Sequence, residues 1–137
     1  MIINKKEIEN LISWSIEDIR SAKSDLKSNF LRSAVSRSYY AAFDLVKAYL
    51  LLNEIIAKTH SGTSNKFNEL LKKKEAIPLK FGRWFRDAQE YRQNADYDTF
   101  TEFTCSEVKK IVTESEEFCE ILLKIVKVTF EKDKKKN

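Results

Sequence analysis

The sequence predicts an all-α protein, an up-and-down bundle of four to five helices, and three observations lead there. Gly and Pro number only two and one in 137 residues, so little punctuates the chain. Apolar residues recur at three- and four-residue steps over several long stretches, the period of one helix face. The stretch from Ser33 to Leu52, S-A-V-S-R-S-Y-Y-A-A-F-D-L-V-K-A-Y-L-L-L, carries just three charges, Arg37, Asp44 and Lys47. A helix built from it is apolar around most of its circumference and must be surrounded by others.

The first helix spans Ile8 to Leu26, where Ile8, Leu11, Ile12, Ile16, Ile19, Ala22 and Leu26 share a face. Asn4-x-x-Glu7 has the form of a capping box, and Ile3 with Ile8 forms the accompanying hydrophobic staple. The break at Lys27-Ser28-Asn29 offers Asn29 as a cap for the central helix, which runs to Asn53 or Glu54. So short a connection makes helices one and two an antiparallel hairpin. The pattern lapses from Ile55 to Thr63, around the one His of the chain, His60 in T-H-S-G-T.

A third, polar helix follows from Ser64 to Glu75, anchored by Phe67, Leu70 and Leu71. After Pro78 a fourth runs from Leu79 to Asn94 with Phe81, Trp84, Phe85, Ala88 and Tyr91 turned inward, and residues 96–101 form a loop. The last helix has the clearest period: Val108, Ile111, Val112, Ser115, Phe118, Cys119, Leu122, Ile125, Val126 and Thr129. Thr104-x-x-Glu107 caps it, with Phe103 and Val108 as staple. Residues 1–130 form one helical domain, and the basic tail, 131–137, is expected to fray.

Composition excludes several classes of function. The formal charge of +4 comes largely from Lys72-Lys73-Lys74 and from the Lys132–Lys136 tail, which is not a continuous nucleic-acid-binding face. Cys105 and Cys119 lie fourteen residues apart beside a single His, so no zinc or C-x-x-C motif is present, and no metal or other cofactor is expected. The start, M-I-I-N-K-K-E-I-E, lacks a signal-peptide core, and the longest apolar run, Ala48 to Leu52, is too short to span a bilayer. A cytoplasmic protein that does not enter membranes is the expectation. Glycine-rich phosphate loops, G-x-S-x-G elbows and local Ser-His-Asp groupings are all missing.

Three constellations remain, each with a structural and a functional reading. In Arg37-Ser38-Tyr39-Tyr40 an arginine sits on the apolar helix; if buried it needs a carboxylate or carbonyl, because Arg cannot neutralise. His60 in T-H-S-G is either a capping or hydrogen-bonding residue or a proton-transfer group, since an imidazole titrates near neutrality. In Arg92-Gln93-Asn94-Ala95-Asp96-Tyr97, Arg92 and Asp96 are four apart and pair if the helix persists. Asp96 is the leading candidate to neutralise Arg37 as well, tying helix two to helix four and leaving Arg92 freer.

In combination, A-V-S-R-S-Y-Y-A-A-F-D-L-V-K-A-Y-L-L, T-H-S-G-T-S-N-K-F and E-Y-R-Q-N-A-D-Y-D resemble the small bacterial and archaeal branch of the HEPN superfamily, from about Ser28 to the C-terminal helix. The resemblance implies a bundle of four to five helices, frequently a homodimer, often encoded beside a minimal nucleotidyltransferase as half of a toxin-antitoxin-like pair. Many HEPN proteins are metal-independent endoribonucleases with an R-x(4-6)-H motif facing its copy across a dimer cleft. Carried over, the arginine of that motif is Arg92. The positions for its histidine hold Tyr97, Asp98 and Thr99 instead.

Three functional readings follow. The first is a dimeric module that binds RNA or a nucleotide phosphate through Arg37, Tyr40 and Arg92, with a nucleotidyltransferase partner. The second is an endoribonuclease toxin using Arg92 with His60 or Tyr97, in which His60 supplies the missing imidazole from a distant segment. The third is an interaction module in which Arg37, His60, Arg92 and Asp96 form only a structural polar network.

Overall fold

The computed structural model describes the backbone of residues 3–136 and the side chains of residues 3–132. Within them are five helices: α1 (Lys5–Lys27), α2 (Leu31–Leu52), α3 (His60–Lys74), α4 (Lys80–Tyr97) and α5 (Cys105–Lys136). The all-α bundle expected from the sequence is what forms. The backbone of the tail, expected to fray, is helical to Lys136, and its side chains beyond residue 132 lie outside those described.

The hairpin of α1 and α2 is antiparallel, because their cross-links run in opposite order along the two chains. Glu7 meets Lys47 at 3.8 Å, the Ser15 hydroxyl donates to the Ala41 carbonyl at 2.8 Å, and the Ser33 hydroxyl donates to Asp25 at 2.6 Å. Asn4 caps α1 by accepting from the Glu7 amide at 3.0 Å. Asn29 does not cap α2. It takes φ 63°, the left-handed conformation that asparagine tolerates, and turns the chain; Phe30 holds the cap position without a side-chain bond.

Helix α2 packs against each of the other four helices, as its apolar circumference requires. Tyr39, Leu45, Val46 and Leu50 are almost fully enclosed, and each buried aliphatic side chain of this size contributes about 1.5–3 kcal/mol. Ser115 on α5 donates to the Ser38 carbonyl at 2.7 Å, a polar tie within this apolar packing. The α5 stripe is inward as expected, with Val108, Ser115, Phe118, Leu122 and Val126 buried, and the Thr104 hydroxyl accepts from the Glu107 amide at 3.1 Å.

Two of the boundaries that differ from the sequence expectation shape the site. Helix α3 begins four residues early, at His60, because the Thr59 hydroxyl accepts from the Gly62 amide at 2.9 Å. Helix α4 continues to Tyr97 rather than ending at Asn94. Its inward stripe is Phe81, Phe85, Ala88, Arg92 and Ala95, whereas Tyr91 is turned outward. At Gly82, α4 lies so close to α3 that an added Cβ would fall 2.0 Å from the Asn68 side-chain oxygen. No helix among the described residues is long and apolar enough to cross a membrane.

Candidate functional site

Arg92 takes an inward position on α4 because its neighbours at steps of four and three, Phe85, Ala88 and Ala95, fix that face to the core. It is only 4% exposed. Three tyrosine rings surround the guanidinium carbon, Tyr39 at 5.4 Å, Tyr40 at 5.7 Å and Tyr97 at 5.7 Å from their centres. Each cation–π contact contributes about 0.5–2 kcal/mol. Neighbouring ring faces do not replace hydrogen-bond acceptors, however. The Arg92 Nε is fully buried and has no acceptor, and Asp96 Oδ2 lies 3.6 Å from Nη1, beyond hydrogen-bonding distance. A buried cation is thus held in place but incompletely satisfied.

His60 belongs to the same site. Its Nδ1 is 2.6 Å from the hydroxyl of Tyr39, the ring beside which Arg92 lies, and its imidazole packs 4.7 Å from the centre of Phe43. The early start of α3 puts His60 in the first helical turn, directly after the Thr59 cap. Two segments separated by 29 residues, T-H-S-G and R-Q-N-A-D-Y, therefore meet around Tyr39.

Protonation states follow from this geometry. Burial pushes the Tyr39 phenol well above its ordinary value, against the opposing pull of Arg92, so it stays protonated. A buried, protonated phenol needs an acceptor, and His60 Nδ1 at 2.6 Å is in place to be one, which assigns the Tyr39 O–H as donor. Burial, and then the Arg92 charge, hold His60 below its ordinary value, so the imidazole is neutral at pH 7. A neutral imidazole that accepts at Nδ1 carries its proton on Nε2. His60 accordingly offers a hydrogen bond from Nε2 and is not in the form of a base there.

The remaining expected residues divide. Tyr97 extends over Arg92 from the end of α4 and is 74% exposed. Asp96 accepts a long bond from the Ser36 hydroxyl at 3.4 Å, so it links α4 to α2. Arg37 does not join them, and its expected pairing with Asp96 is corrected: Nη1 lies 3.4 Å from Asp18 on α1, with the side chain 53% exposed. The reason is helical geometry, since residue 37 lies about 100° around α2 from residue 36 and so faces α1.

Sequence reasoning missed two features. One is the Tyr39–His60 bond, which has no local signal. The other is Asp44, which was counted only as a charge on α2. It is 7% exposed, its Oδ2 is buried without a partner, and Asp18 lies beside it. Burial first, then the bond and charge of Asp18, push Asp44 up to about 8. The inward position of Arg92 did have a signal, the spacing 81, 85, 88, 92, 95. No group of three or more His, Cys, Asp and Glu side chains among the described residues is arranged to hold a metal ion.

Comparison with known proteins agrees with these features. A family model described as the HEPN domain matches residues 8–126. A candidate toxin of Methanocaldococcus jannaschii is 34% identical over 108 residues, which cover 79% of this chain and 74% of that protein. A second candidate toxin of the same organism is 32% identical over 123 residues, covering 90% and 91%. A UPF0332 protein of Thermotoga maritima is 32% identical over 126 residues, covering 90% and 96%. With its five-helix bundle, its Arg92–Tyr97 segment at the end of α4 and a family match across nearly all of its length, this chain belongs to the HEPN family.

Proposed function

We propose that this protein is an RNA-phosphate-binding HEPN module of a toxin-antitoxin-like system, acting as a homodimer beside a nucleotidyltransferase partner. The observation that carries the reading is Arg92, a buried guanidinium lacking a hydrogen-bond acceptor at Nε. A cation that cannot lose its charge, with one carboxylate 3.6 Å away and an unbonded Nε, can seat a further anion, and the planar fork of arginine suits a phosphodiester. His60 adds a neutral N–H donor, and the exposed ring of Tyr97 offers a face on which a base can stack.

Binding is favoured over cleavage by the tautomer of His60. A base must present an unprotonated nitrogen, and the Tyr39 hydroxyl already occupies Nδ1. The homodimer is supported by exposed aromatic side chains, Phe100 just after α4 at 92% and Phe30 at the start of α2 at 62% exposure. The toxin-antitoxin context is supported by the candidate-toxin names of the relatives.

The test is titration of fluorescent single-stranded RNA at low salt, with light scattering for the dimer. Arg92→Met is expected to weaken binding by roughly 10- to 150-fold, as loss of about 1.5–3 kcal/mol of charged hydrogen bonding does. The RNA should remain intact in EDTA. Unchanged affinity in folded Arg92→Met, or cleavage abolished by His60→Ala, would overturn the binding reading.

A further inference from the structure

Between the first turn of α3 and the middle of α4 lies a groove of about 260 Å³, walled by Ser61, Ser64, Asn65, Arg86, Gln89 and Gln93, with Glu90 at its side. It is contiguous in sequence with the phosphate site on both walls, since Ser61 follows His60 and Gln93 follows Arg92. Ser64 is 3% exposed, yet its Oγ has no hydrogen-bond partner. The amides of His60 and Ser61 open α3, where no preceding turn supplies acceptors.

The lining is mostly neutral and hydrogen-bonding, unlike a phosphate cradle. Three amide side chains, two hydroxyls, one guanidinium and one carboxylate face a space that suits a planar heterocycle. Arg86 and Glu90 are four apart on α4, and both are exposed in the lining of the groove. A guanidinium fork matches the O6 and N7 acceptors of guanine, and a carboxylate accepts from amino and imino groups such as its N1–H and N2–H₂. Arg86 lies six positions before Arg92, about 9 Å along the helix axis and about 120° around it, a span that a linked nucleotide bridges.

We propose that this groove reads one unpaired guanine of the RNA strand whose phosphate sits at Arg92, with Arg86 and Glu90 selecting the base and Ser64, Gln89 and Gln93 completing its hydrogen bonds. The assignment rests on the RNA-binding reading and adds sequence preference to it. Single-stranded RNA is recognised in this way, by bases splayed out of the stack and bonded along their edges.

The experiment is anisotropy titration of labelled hexauridine and of the same strand with one central guanosine, adenosine or cytidine. The guanosine strand is expected to bind about tenfold or more tightly than the others, the discrimination of one good bidentate pair. Arg86→Gln and Glu90→Gln, both at exposed positions, should each bring the ratio of guanosine-strand to hexauridine affinity close to one, whatever the common change in affinity that the altered charge gives to all strands. Equal binding of all four strands by the wild type overturns the guanine subsite and leaves the RNA reading standing. A preference that survives both substitutions also overturns it. No binding of any strand overturns both.

Discussion

Two ionisable groups are enclosed around α2, and the bundle treats them in opposite ways. On the side facing α4, Arg92 keeps its charge among three tyrosine rings, with Asp96 3.6 Å away. On the side facing α1, Asp44 lies against Asp18 and is pushed up to about 8. A carboxyl can escape the cost of burial by taking up a proton, whereas a guanidinium has no such route. The carboxyl side is therefore electrically quiet and architectural. The arginine side retains its charge, with a long contact to Asp96 and no acceptor at Nε.

That contrast makes Arg92→Met the variant of largest effect. If the cation is held for a ligand, the apolar replacement costs RNA affinity, while relief of a buried, incompletely bonded charge offsets the lost ring contacts and leaves the stability of the free protein nearly unchanged. If instead it were one half of a structural ion pair, the same substitution would cost about 3–5 kcal/mol. Denaturant melts of the free protein distinguish the two.

Asp44→Asn sharpens the other side. Asp44 is protonated when folded and ionises on unfolding near its ordinary value, so unfolding releases a proton. Its contribution is full below about pH 4 and is lost as pH rises towards about 8, by up to about 1.4 kcal/mol per pH unit. The asparagine variant should therefore gain on the wild type as pH rises from 5 to 8. Melts of the two proteins across that range give the difference directly, and a constant difference would contradict the account.

Smaller effects follow. Gly82→Ala is expected to cost about 1–3 kcal/mol, because its Cβ would displace the Asn68 side chain that bridges α3 to α4. Tyr39→Phe removes one hydroxyl and should cost about 0.5–1.5 kcal/mol in stability. It also frees His60 Nδ1, which shows as a change of imidazole tautomer in nitrogen NMR. Arg37→Ala should alter stability by less than about 0.5 kcal/mol, since its pair with Asp18 is long and the arginine half-exposed.

Local chemistry determined which stretches became helices. Apolar periods set the inward faces of α1, α2 and α5, and Asn4 and Thr104 started α1 and α5 where a side-chain acceptor could satisfy a first-turn amide. The same rule, applied to Thr59, would have started α3 at His60, and the stripe through Phe85, Ala88 and Ala95 already contained Arg92.

What only the tertiary structure decided is who meets whom. Arg37 turned to Asp18 and Asp96 stayed with Arg92, because a rotation of one residue on α2 selects a different neighbour. Tyr39 joined His60 to the Arg92 site through a contact spanning three helices, and Asp44 met Asp18 across a fourth. Such contacts depend on how helices are juxtaposed in space, and a period along one helix carries no record of the residues opposite it.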